Sequence, residues 1–86
     1  MASYNIRWKT SAAKELNVIP RFDAEQVVKK VAALVDDHVP AGAKKLVGSE
    51  CTYRLRVGKY RVVYSVFDKE LVIDIIRVAH RKDVYR

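Results

Sequence analysis

Cysteine is almost missing from this chain: Cys51 stands alone among 86 residues. A single thiol excludes an intramolecular disulfide and fits a reducing compartment. With two well-separated histidines, His38 and His80, it also leaves no ligand set for a structural zinc. Proline and glycine are sparse, at two and three residues. There is accordingly no Gly/Ser linker, no low-complexity tract and no repeat, and the length suits one domain with one core. No run approaches the roughly 20 apolar residues that span a bilayer. The opening MASYNIRWK lacks the apolar stretch of a signal peptide. The expectation is a cytoplasmic protein with no membrane partner.

Negative charge is the next scarcity, and it is unevenly distributed. Residues 1–51 carry eight Lys/Arg against six Asp/Glu, a balance of +2, whereas residues 52–86 carry nine against four, a balance of +5. A basic C-terminal half attracts polyanions, of which nucleic acid is the commonest in a cytosol. Charge alone leaves an acidic protein partner, or plain solubility, equally open.

What is present is patterned. YNIRW alternates enough for a first strand over residues 4–8. Thr10 or Ser11 can cap a brief helix through about Leu16, punctuated by Asn17 and Pro20. Asp23 and Gln26 have the spacing of a capping box. Behind them Val27, Val28, Val31, Leu34 and Val35 predict a core-facing helix over residues 22–37, stopped by Pro40 and Gly42. Residues 38–51 read as a loop. From Thr52 the period changes to two, through TYRLRV, YRVVYSVF and ELVIDIIRV, with reversals at Gly58-Lys59 and Asp68-Lys69. The order β-α-α-β-β-β predicts an α+β domain, a mostly antiparallel sheet with two helices packed on one face and a short basic C-terminal segment.

A two-residue turn at Gly58-Lys59 pairs Val57 with Tyr60, Arg56 with Arg61, Leu55 with Val62 and Arg54 with Val63. Tyr53, Leu55, Val57, Tyr60, Val62 and Tyr64 then share an apolar face for the helices to cover. Arg54, Arg56 and Arg61 project together from the other face, where Asp74 is a candidate counter-charge. That face is either a solvated surface or a cradle for phosphate, whose oxygens match the guanidinium fork. The end of the chain, HRKDVYR, adds cations to it. Arg81 and Tyr85 are four residues apart, so in a terminal helical turn they share a side. The plain alternative is a frayed basic terminus.

LRVGKYRVVYSV followed by LVIDIIRVAHRKDVYR resembles the RelE toxins of the RelE/ParE superfamily, small toxins held inactive by an antitoxin. The likeness runs along nearly the whole chain. It implies a RelE-like fold and a ribosome-dependent endoribonuclease that cuts mRNA without metal or cofactor. It assigns transition-state stabilisation to Arg61, charge stabilisation or leaving-group protonation to Arg81, and base stacking or activation of the 2′-hydroxyl to Tyr85. It places a further basic residue of the site at Arg54. Thr52 stands where relatives carry another basic residue, so no lysine base is expected there; arginine hardly deprotonates. Cations beside Tyr85 would favour its phenolate. Arg56, Lys44, Lys45, Lys59 and Arg86 are expected to contact RNA. His80 has a side chain suited to proton transfer, but its neighbour Arg81 is the residue that matches the family.

The partners implied are mRNA, the ribosome with its rRNA, and a RelB-like antitoxin presenting an acidic amphipathic segment. Two other functions remain open at this level. One is a ParE-type toxin that poisons gyrase by binding; such chains generally lack the Arg61, Arg81 and Tyr85 combination. The other is a RelE-like antitoxin-binding module with impaired catalysis.

Overall fold

The hairpin expected at Gly58-Lys59 organises the molecule. Gly58 has φ of 58°, the left-handed value that a two-residue turn requires at its first central position, and Lys59 does not share it. The flanking strands pair in the expected register, Val57 with Tyr60, Arg56 with Arg61, Leu55 with Val62 and Arg54 with Val63. The computed structural model describes residues 4–80 and 82. In chain order the elements are β1 (Asn5–Trp8), α1 (Thr10–Val18), α2 (Arg21–Ala33), β2 (Ala43–Lys45), β3 (Thr52–Val57), β4 (Tyr60–Phe67) and β5 (Val72–His80). The strands lie in the order β1-β5-β4-β3-β2. β1 runs parallel to β5, and the other pairings are antiparallel.

Both helices cover one face of this sheet. Ala12 of α1 and Val27 and Val31 of α2, with Leu34 just beyond it, are buried against Leu55, Val57, Val62, Tyr64, Ile73, Ile75 and Val78. Burying side chains of this size contributes roughly 1.5–3 kcal/mol each. The buried stripe of α2 is narrower than its valines predict. Val27 and Val31 are buried, but Val28, one residue round the helix, is 46% exposed. A helix lying on a sheet offers it one line of contact, and neighbouring residues point about 100° apart.

The helix termini also depart from expectation. Lys9, not Thr10 or Ser11, precedes α1, and no side chain caps it. The Lys9 amide is bound to the Ile75 carbonyl at 3.0 Å, so the end of β1 sets where the helix begins. Pro20 opens α2, and its carbonyl accepts the Ala24 amide at 2.9 Å. Asp23 thus lies within the first turn, where a carboxylate favours the helix dipole, and does not form a capping box. The helix stops at Ala33, four residues short of the predicted end. Leu34 and Val35 donate three residues back, to Val31 and Ala32, as the last turn tightens.

The strands differ from expectation in places as well. Ala43–Lys45, read as loop, forms an edge strand on β3; three residues are too few to show a period. β5 begins at Val72 and not at Glu70. The reversal takes four residues, with Leu71 at φ 55°. Between β4 and β5 the register slips after Val63, so Ile76 is an extra residue in β5. This bulge exchanges the faces of β5: Ile73 and Ile75 point to the helices before it, and Val78 does so after it.

The core carries one phenol. Tyr64 is fully buried, stacks on Tyr53 with ring centroids 5.7 Å apart, and donates its hydroxyl proton to the His38 carbonyl at 2.8 Å. Burial, reinforced by Tyr53 and Asp37, pushes Tyr64 from 10.0 up to about 12. The native state therefore keeps a proton that the unfolded chain releases. Stability from this group is complete below pH 10 and is lost as pH rises toward 12. Urea unfolding should show wild type losing about 2 kcal/mol across that interval, with Tyr64→Phe losing much less. At neutral pH Tyr64→Phe should cost about 1–3 kcal/mol, because the His38 carbonyl loses its donor. Equal alkaline slopes in the two proteins would rule out Tyr64 as the group responsible.

Candidate nucleic-acid interface

The face without helices is built by the same alternation that builds the core. Cross-strand partners share a face, so Arg54 and Arg56 of β3 and Arg61 of β4 stand together there. β2 adds Lys44, which pairs with Arg54. These four cations and Gly42 line a cleft of about 270 Å³. Gly42 has φ of 93°, which other residues rarely adopt, and a Cβ there would meet nothing within 4 Å, so this wall is open.

Asp74, the expected counter-charge for the arginines, is engaged elsewhere. The Arg7 Nε donates to Asp74 Oδ1 at 2.8 Å and its terminal nitrogen to Oδ2 at 3.2 Å. The parallel register of β1 on β5 sets Arg7 beside Asp74, and the carboxylate holds the guanidinium still more firmly protonated. Thr52 and Ser65 occupy the same face one row from Arg54, their hydroxyl oxygens 2.8 Å apart. Arg77 reaches this face too, through its pairing with Val63, although its Nε leans to Glu15 Oε2 at 3.5 Å.

Of the residues expected from sequence, Arg54, Arg56, Arg61 and Lys44 come together in the cleft. Lys45 pairs with Tyr53, which sends it to the opposite side of the sheet. Lys59 sits exposed in the hairpin turn, outside the cleft lining. Arg81, Tyr85, Arg86 and the expected terminal helical turn lie outside the described residues, apart from Lys82. His80 pairs with Tyr60, edge to face at 5.5 Å between centroids, on the helix side. Gly42 and Arg77 were missed by sequence reasoning. Arg77 is hidden by the bulge, since strict alternation from Ile75 would send it to the core side. Among the described residues, no three His, Cys, Asp or Glu side chains gather as a metal would need. No helix among them is long and apolar enough to cross a membrane.

The comparisons with known proteins agree with this architecture. Residues 6–85 match the family described as ParE toxin of type II toxin-antitoxin system, parDE. The chain is a RelE-like toxin of this family. It is 32% identical to a putative RelE-like toxin protein of Escherichia coli, over 95% of this chain and 90% of that one. It is also 32% identical to toxin RelG of Mycobacterium tuberculosis, over 96% and 97% of the two chains. The toxin superposes on the crystal structure of the archaeal RelE-RelB complex from Pyrococcus horikoshii with a TM-score of 0.84 at 29% identity, covering 94% of this chain and 98% of that one.

Arg56 stands directly opposite Arg61 across the hairpin. Like charges in directly opposed positions destabilise a sheet, and Thr is a favourable strand residue. Arg56→Thr should therefore raise the unfolding free energy by roughly 0.2–1 kcal/mol in urea titrations. The same change should weaken binding of a single-stranded RNA oligonucleotide and make its salt slope shallower by about 0.7. A variant that loses stability would show that the opposed pair is not repulsive.

Proposed function

We propose that this toxin is a ribosome-dependent, metal-independent endoribonuclease that arrests translation by cutting mRNA. The observation that carries the reading is the convergence of Arg54, Arg56, Arg61 and Lys44 in one open cleft on the helix-free face. In the proposed reaction the RNA 2′-oxygen forms a bond to the adjacent phosphorus as its proton leaves. The bond from phosphorus to the 5′-oxygen breaks, and that oxygen takes up a proton. The products are a 2′,3′-cyclic phosphate and a 5′-hydroxyl. The five-coordinate phosphorus carries extra negative charge, which preorganised guanidiniums stabilise without reorganising.

Arg61 takes that role at the cleft, with Arg54 beside it and Arg81 joining from the C-terminal segment. Tyr85 assists the 2′-hydroxyl or stacks on a base. Arg56 and Lys44 hold the phosphate backbone, Lys45 and Lys59 contact RNA outside the cleft, and Arg86 is a further RNA contact. Dependence on the ribosome follows from an acid/base set this lean: rRNA supplies the in-line geometry that the toxin lacks. The inhibitor is an acidic, amphipathic antitoxin. That partner is supported by the RelE-RelB complex on which the chain superposes and by the toxin's +7 charge.

Primer extension on ribosome-bound mRNA tests the site. Arg61→Ala and Arg81→Ala should each slow cleavage by about tenfold to a thousandfold, as loss of an oxyanion donor does. Tyr85→Phe should also slow it. Undiminished cleavage in all three variants removes the proposed site. Lys44→Arg keeps the charge and should cleave nearly as wild type, while Lys44→Ala should lose about tenfold; a dead Lys44→Arg would make Lys44 a proton carrier instead. The family's description names ParE, so gyrase is the control. Supercoiling blocked at concentrations that leave translation intact would favour the binding toxin.

A further inference from the structure

β5 is held unevenly along its outer edge. β1 pairs with Val72 to Ile75, and the last backbone bond there runs from the Lys9 amide to the Ile75 carbonyl at 3.0 Å. Beyond the Ile76 bulge no further strand flanks β5 on that side among the described residues. The distal part of β5 nevertheless has to be placed accurately. It sets Arg77 opposite Val63, Ala79 opposite Arg61 and His80 opposite Tyr60, and Arg81 follows directly in the chain.

The side chain of Glu15 reaches this edge. Glu15 lies one turn after the fully buried Ala12 on α1, and that small residue lets the helix approach the sheet closely. Glu15 Oε1 accepts the Val78 amide at 2.9 Å, while Oε2 lies 3.5 Å from Arg77 Nε. The carboxylate thus occupies the place of a neighbouring strand's carbonyl. The Arg77 contact is long and joins side chains 44% and 32% exposed, so the amide bond is the stronger link.

We propose that Glu15 is a positioning residue. Its carboxylate replaces the missing strand beside β5 and fixes where the chain leaves the sheet at His80, directly before Arg81 in the sequence. The proposal rests on the nuclease reading for its catalytic consequence and on geometry alone for the clamp.

The test joins two measurements on the full-length toxin: amide hydrogen exchange by NMR and single-turnover cleavage on programmed ribosomes. In Glu15→Ala the Val78 amide should exchange at least about tenfold faster, while Val72 to Ile75 keep wild-type protection. The cleavage rate should fall about tenfold with KM unchanged, since the end of β5 that leads into Arg81 is loosened and the RNA-binding cations of the cleft are not. Glu15→Gln retains the acceptor oxygen and should restore both, whereas Glu15→Asp keeps the charge, falls short of the amide and should restore neither. If Glu15→Ala fails to fold, the Gln and Asp pair decides the matter. Wild-type cleavage in Glu15→Asp together with faster Val78 exchange overturns positioning; unchanged Val78 exchange overturns the clamp itself. A wild-type toxin that cuts nothing overturns the nuclease reading and the catalytic half of this proposal, and Val78 exchange still decides the clamp.

Discussion

The opposition of Arg56 and Arg61 across the β3–β4 hairpin is the constraint to which the rest of the structure answers. A sheet that assembles cations on one face must be held together from the other. That task falls to Leu55, Val57, Val62 and Tyr64, all buried beneath the two helices. Each such side chain is worth more in burial than one opposed pair costs in repulsion. The core can therefore support a face on which two arginines stand directly opposed. The surplus is small in a domain of 86 residues, which buries only about 60–65% of its unfolded surface.

The placement of carboxylates follows the same logic. Asp74 shares the arginine face but is bound in a fork by Arg7 at the β1 side of the sheet. Glu15 is engaged at the β5 edge by the Val78 amide and Arg77. Both acids thus serve to fasten strands. Neither acid stands in the lining of the cleft that Lys44, Arg54, Arg56 and Arg61 share. Four guanidinium or ammonium groups around one open cleft suit a ligand that is met through its negative charge.

The β-bulge at Ile76 connects fold to site. Before it, the odd residues of β5 point to the core; after it, Val78 does. If β5 ran on in regular pairing without the bulge, Arg77 would be driven against the helices and Ala79 would leave its place opposite Arg61. Bulges commonly re-aim side chains beside functional sites. Here the bulge also marks where β1 stops supporting β5 and where the Glu15 contact takes over.

How much of this was legible in the sequence depends on how local each feature is. The Gly58-Lys59 turn and the alternation around it carry their own geometry, so the register, the apolar face and the grouping of Arg54, Arg56 and Arg61 could be read directly. The second helix was visible in its apolar spacing and the first in its candidate caps and breakers, though the ends of neither were. Lys9 is set by a bond to Ile75 and α2 opens at Pro20, so boundaries came from the sheet and linker, not from capping residues. Lys44 looked like a loop cation because β2 exists only through its pairing with β3. By itself the sequence determined which side chains a two-residue hairpin gathers on one face, because a turn and a period of two act between neighbours in the chain. Only the tertiary structure decided that Asp74 would pair with Arg7, that Lys44 would join the cleft, and that β5 would change faces at Ile76. Edge pairing, bulges and helix-to-strand contacts join residues far apart in the chain, and no local pattern encodes them.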